Sequence, residues 1–187
     1  TEPALIFAAS VAQAGGIADI INGQEQCRGK AICITGDTPR QQRRELLRRF
    51  GEGQYQFLVG CDVFIEGFDM PRISIVAVAK PTKVQSRYVQ MVGRGFRTLP
   101  GTLEGHDTPL ARRQAIARSA KPRLLVLDFV GNSGRHKLIS MADILGGKHD
   151  LLPQVVAKAK EQGEPIDILD ELGKEEAARE ERRKVQE

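Results

Sequence analysis

The segment QMVGRGFR, Gln90 to Arg97, places two arginines three residues apart behind a glycine and a glutamine. Residues three or four apart share a helix face, so this spacing predicts that Gln90, Gly93, Arg94 and Arg97 line one polar, cationic stripe. Forked guanidinium donors on such a stripe suit phosphate oxygens. A second segment, VFIEGFDMP (Val63 to Pro71), supplies complementary chemistry. Gly67 lets backbone approach a ligand closely, and Asp69 can accept hydrogen bonds from sugar hydroxyls. The tripeptide PTK, Pro81 to Lys83, stands just before the helix expected over 85–97. Each piece alone is a weak signal, and their order is the specific one.

These residues need a scaffold, and the apolar pattern supplies it. ALIFAA (Ala4 to Ala9), AICIT (Ala31 to Thr35), QFLVG (Gln56 to Gly60), ISIVAVA (Ile73 to Ala79) and LLVLDF (Leu124 to Phe129) are short continuous apolar runs. Strands covered on both faces read this way, and they belong mostly to parallel sheets. Helical segments are expected between them near 11–22, 39–50 and 85–97. The alternation implies an α/β fold, a doubly wound and mainly parallel sheet with helices on both faces and function at the carboxyl ends of its strands. Ser10 with Gln13, and Thr38 with Pro39 and Gln41, read as helix-capping boxes. Residues 98–122 form a basic insertion with a short helix before the last strand. A domain over 1–135 is expected to precede a helical extension and charged tail over 136–187, the tail being a solvated helix or a linker.

Composition narrows the class. The chain has 187 residues, 41% of them hydrophobic, with no tryptophan and a net charge of +4. No apolar run is long enough to span a bilayer, and no membrane partner is expected. Cys27, Cys33 and Cys61 are odd in number and lack CxxC spacing, which argues against a disulfide framework or a zinc site. The protein reads as cytoplasmic, with reduced thiols. No acidic residue lies between Asp69 and Glu104, and a second acid-free stretch runs from Thr108 to Leu127. Such a face meets a polyanion or is simply solvated.

Taken together, LIFAAS, EGFDMP and QMVGRGFR resemble motifs IV, V and VI of the second RecA-like domain of superfamily 2 helicases and translocases. That group includes DEAD/DEAH-type proteins and restriction-enzyme motors. The resemblance covers about residues 4–135 and includes GDTPRQQRRELLRRF, similar to the family's stretch between motifs IV and V. It implies ATP and Mg2+ as cofactors of the complete enzyme, bound between two RecA-like domains, and DNA or RNA as partner. It also implies that Arg94 and Arg97 reach the γ-phosphate, with Arg97 as arginine finger. Gly67 and Asp69 would lie near the nucleotide sugar, and Gln90 would bond phosphate or organise its helix. Ser10, Gly36, Asp37, Thr82 and Lys83 would meet nucleic-acid phosphates.

A phosphate loop, GxxxxGK[ST], is not found: the Gly-Lys steps at 29, 147 and 173 are not followed by Ser or Thr. The expectation is half a motor, inactive alone, whose first RecA-like domain belongs to the same parent chain. The rival expectation is a catalytically silent nucleic-acid-binding or protein-interaction module with the same fold.

Overall fold

A computed structural model describes residues 2–64, 69–82, 84–129 and 168–184. The chain divides into two units, Thr1–Val130 and Gly131–Glu187. In the first, strands β1 (Ala4–Ala8), β2 (Ala31–Ile34), β3 (Phe57–Gly60), β4 (Ile75–Ala79) and β5 (Leu125–Asp128) form one sheet in the order β2-β3-β1-β4-β5. Every pairing is parallel, and Ala4 of β1 stands opposite both Phe57 and Ile75. All five residues of β1 are buried, as expected of a central strand with both faces covered.

Helices α1 (Val11–Gly23), α2 (Arg40–Gly51), α3 (Gln85–Gly93) and α4 (Pro109–Arg118), with a short 3-10 turn at Glu25–Cys27, complete this unit among its described residues. Small residues bring α1 close to the sheet: Ala14 and Ala18 pack with Ile6, Ala8, Val59 and Ala77. Asn22 at the end of α1 holds both backbone groups of Ala31, donating to its carbonyl at 2.9 Å and accepting from its amide at 3.0 Å. That tie fixes where edge strand β2 begins. Cys33, expected in a strand, is in β2 and half-buried, and burial pushes its thiol pKa up. On α3, Tyr88 is 2% exposed, and burial pushes its hydroxyl up to about 12.

The expected cap at Ser10 is present: its hydroxyl accepts from the Gln13 amide at 3.1 Å. The Gln13 side chain reaches back one residue further than a capping box requires, to the Ala9 amide at 2.6 Å. The expected cap at Thr38 is not. Its hydroxyl instead accepts from the Thr35 amide at 2.9 Å, and α2 opens at Arg40 behind Pro39 without a side-chain cap. A threonine four residues after a strand end can close a local turn as readily as cap a helix, and here the turn wins.

In the second unit α5 (Ile168–Lys184) is a charged helix, its Lys174 paired with Asp170 at 2.8 Å and with Glu171 at 2.7 Å.

Candidate functional site

The helix carrying Gln90 ends earlier than its sequence pattern suggests. α3 stops at Gly93, and the amides of Arg94, Gly95 and Phe96 donate to the carbonyls of Met91, Val92 and Gly93. These are three-residue turns that tighten the chain and end the α-helical pattern. Gln90 and Gly93 are helical, Arg94 is the cap and Arg97 lies beyond, so the expected single stripe is not formed. Glycine explains part of this. A Cβ at Gly95 would stand 2.3 Å from Leu124 Cδ1 and 3.0 Å from Val76 Cγ2, so only a bare backbone can lie there against the sheet. Glycine is also a weak helix former.

Beyond that point Arg97 meets Asp69. Arg97 Nη1 donates to Asp69 Oδ2 at 2.6 Å, joining residues 28 apart in sequence. Both side chains are more than half exposed, at 59% and 52%, so the pair contributes little to stability. It does bring the two predicted segments together. Gln90 is exposed nearby in sequence on α3, and Arg94 is half-buried. Gly67 and Lys83 lie outside the described residues.

Below this exposed pair is a buried cation. Lys121 is 8% exposed and donates from Nζ to three carbonyls: Pro71 at 2.8 Å, Gly95 at 2.6 Å and Arg97 at 2.6 Å. An ammonium has three donors, and all are used. Burial pushes its pKa down to about 8. Sequence reasoning counted Lys121 with the basic surface. Its signal was only its place, four residues before β5.

Chain geometry puts this cluster at the amino ends of β4 and β5, where a carboxyl-end site was expected. The amides of Ser74 and Ile75 donate to Pro3, just ahead of β1, and Leu125 donates to Ser74. Arg72 donates to the Gly51 carbonyl at the end of α2. The connection after β3 must run back along the sheet to start a parallel β4, so Asp69 and Pro71, late in it, approach the opposite edge.

The carboxyl edge holds the other candidates. Ser10 follows β1, and Gly36 and Asp37 follow β2, all three exposed. The half-buried Arg43 of α2 braces that second turn, donating to the Thr35 carbonyl at 2.9 Å and the Gly36 carbonyl at 3.3 Å. Thr82, expected to meet nucleic-acid phosphates, follows β4. It is 7% exposed, and its hydroxyl exchanges hydrogen bonds with Val84, at 3.2 Å from the amide and 3.3 Å to the carbonyl. It shapes the turn into α3. Lys80 at the end of β4 reaches Asp62 beyond β3, at 2.6 Å to both oxygens, and Asp62 takes a left-handed φ of 56°. Among the described residues, no group of three or more His, Cys, Asp or Glu is placed to hold a metal ion. No described helix is long and apolar enough to cross a membrane.

Residues 1–98, more than half of the chain, match the family model described as the helicase conserved C-terminal domain, and the chain belongs to that family. Its fold is the RecA-like second domain of superfamily 2 helicases. Among curated relatives, "Putative ATP-dependent helicase IRC3" of Saccharomyces cerevisiae is 39% identical over 117 residues, covering 63% of this chain and 14% of that protein. UvrABC system protein B of a Synechococcus species is 32% identical over 95 residues, 47% of this chain and 14% of that one. The chain therefore spans about one-seventh of the length of these relatives. The crystal structure of the yeast DEAD-box splicing factor Prp28 shares the fold at 18% identity, with a TM-score of 0.51 over 86% of this chain and 27% of that one.

Proposed function

We propose that this chain is the second lobe of an ATP-driven nucleic-acid helicase or translocase. Arg97, with Arg94, acts on the γ-phosphate of ATP held with Mg2+ by a first RecA-like domain, while Asp69 and Gly67 lie beside the sugar. Gln90 bonds phosphate or braces its helix. The observation that carries this reading is the exposed Asp69–Arg97 pair. It joins an acceptor suited to ribose hydroxyls and a forked donor suited to phosphate, from separate segments, at the surface. Phosphoryl transfer spreads negative charge over the transferred oxygens, and a guanidinium brought from a second domain stabilises it. The yeast relative, "Putative ATP-dependent helicase IRC3", points the same way.

Nucleic-acid phosphates are gripped at the opposite edge of the sheet. Ser10, Gly36 and Asp37 supply exposed turn and helix-start groups there, and Lys83 adds a cation. Two subsites at two edges let one rigid sheet carry a displacement from nucleotide to nucleic acid.

Phosphate release tests the proposal. The 187-residue chain alone gives no nucleic-acid-stimulated turnover, and the same chain joined to its first lobe does. Turnover by the isolated, rigorously purified chain contradicts the half-motor reading.

A further inference from the structure

We propose that Lys121 is the positioning residue for Arg97, setting where its guanidinium stands by pinning the backbone on which it is carried. The inference rests on the reading of Arg97 as the phosphate-directed arginine. Arg97 lies past the end of α3, in a stretch without regular structure from Phe96 to Leu99. No repeating hydrogen bonds fix that stretch, yet an arginine acting on a transferring phosphate must be held closely. A misplacement of about 1 Å can cost about 100-fold in rate.

Lys121 supplies the missing constraint. Its three donors converge on the carbonyls of Gly95 and Arg97, on either side of Phe96, and on Pro71, two residues after Asp69. One buried side chain therefore ties the backbone of both partners of the exposed ion pair to the start of β5. Gly95, packed against Leu124 and Val76, is the second anchor of the same loop. The Lys121 ammonium lies under the loop and bonds its main chain, so it acts through Arg97 and does not touch the nucleotide.

The test uses a chain carrying both lobes, with kcat and KM for ATP measured on Lys121→Met, Lys121→Arg, Arg97→Lys and the Lys121→Met/Arg97→Lys double variant. Lys121→Met is expected to lower kcat about 10- to 100-fold with KM for ATP nearly unchanged, the mark of an interaction realised only in the transition state. The double variant is expected to be no slower than Arg97→Lys alone, because a misplaced finger and a missing finger are the same loss. Lys121→Arg keeps a permanent charge but offers a planar fork to three converging carbonyls, so it folds with reduced kcat and decides the matter should Lys121→Met fail to fold. Unchanged kcat in the folded Lys121 variants, or losses that multiply in the double variant, overturn the positioning role while leaving the finger intact. An Arg97→Lys chain as fast as the unmodified one overturns the finger reading itself.

Discussion

At the scale of single residues, five cations of the acid-free stretches are ties within the chain. Arg72 holds Gly51, Lys80 holds Asp62, Arg97 holds Asp69, Lys121 holds three carbonyls and Arg112 holds the His106 carbonyl. A sequence reports that lysines and arginines cluster, but their partners come from distant segments, or are main-chain carbonyls that leave no mark on residue type. Asp69 and Arg97 were singled out because their motifs fix residue type, order and spacing. Lys121 was not, since a buried lysine and a solvated one are spelled alike. Its burial has a consequence for stability. The folded pKa of about 8 lies below the ordinary lysine value, so between the two the unfolded chain binds a proton that the folded chain has released. Stability relative to Lys121→Met therefore rises with pH from about 8 toward about 10. Urea midpoints of both chains across that window measure it. A gap that stays flat or narrows contradicts burial of the ammonium.

At the scale of elements, the strands were the easiest to read. Five continuous apolar runs became five parallel strands, with the central β1 buried throughout and the edge strand β5 only partly covered. Edges moved by one or two residues, as at β4, which begins at Ile75 and not Ile73. Helix ends were harder. The sequence pattern extends α3 to Arg97, but Gly95 lays its backbone against Leu124 and Val76 and the helix stops at Gly93. That contact is tertiary, so local periodicity could not register it. The insertion behaves differently from the core. α4 buries none of its residues, and Arg112 only braces the neighbouring His106 carbonyl at 2.8 Å. Replacing 102–120 with a short Gly-Ser loop that keeps Lys121 should leave cooperative thermal unfolding intact, with a midpoint within a few degrees. Extending the replacement through Lys121 should lower the midpoint further, since three carbonyls lose their donor. Loss of cooperativity in the shorter replacement would show that α4 belongs to the core.

At the scale of the whole molecule, the sheet separates two groups of residues, an amino-end cluster around Asp69 and Arg97 and a carboxyl-end row at Ser10, Gly36 and Asp37. Under the proposed function the second row meets backbone phosphates, so binding should be nearly indifferent to sequence and steeply weakened by salt as counterions are released. Titration of a single-stranded and a duplex oligonucleotide at two salt concentrations checks this, and tight, salt-insensitive, sequence-selective binding would favour the silent-module alternative. The central claim concerns the first cluster, and it is tested most directly by single-turnover ATP hydrolysis beside nucleotide binding for Arg97→Lys, with the exposed Arg113→Lys as control, in a chain carrying both lobes. Lysine keeps the charge and loses the planar fork. Hydrolysis is expected to slow by about 10³-fold or more with ATP binding largely spared, with no change for Arg113→Lys. Hydrolysis by Arg97→Lys at the unmodified rate would contradict the central claim.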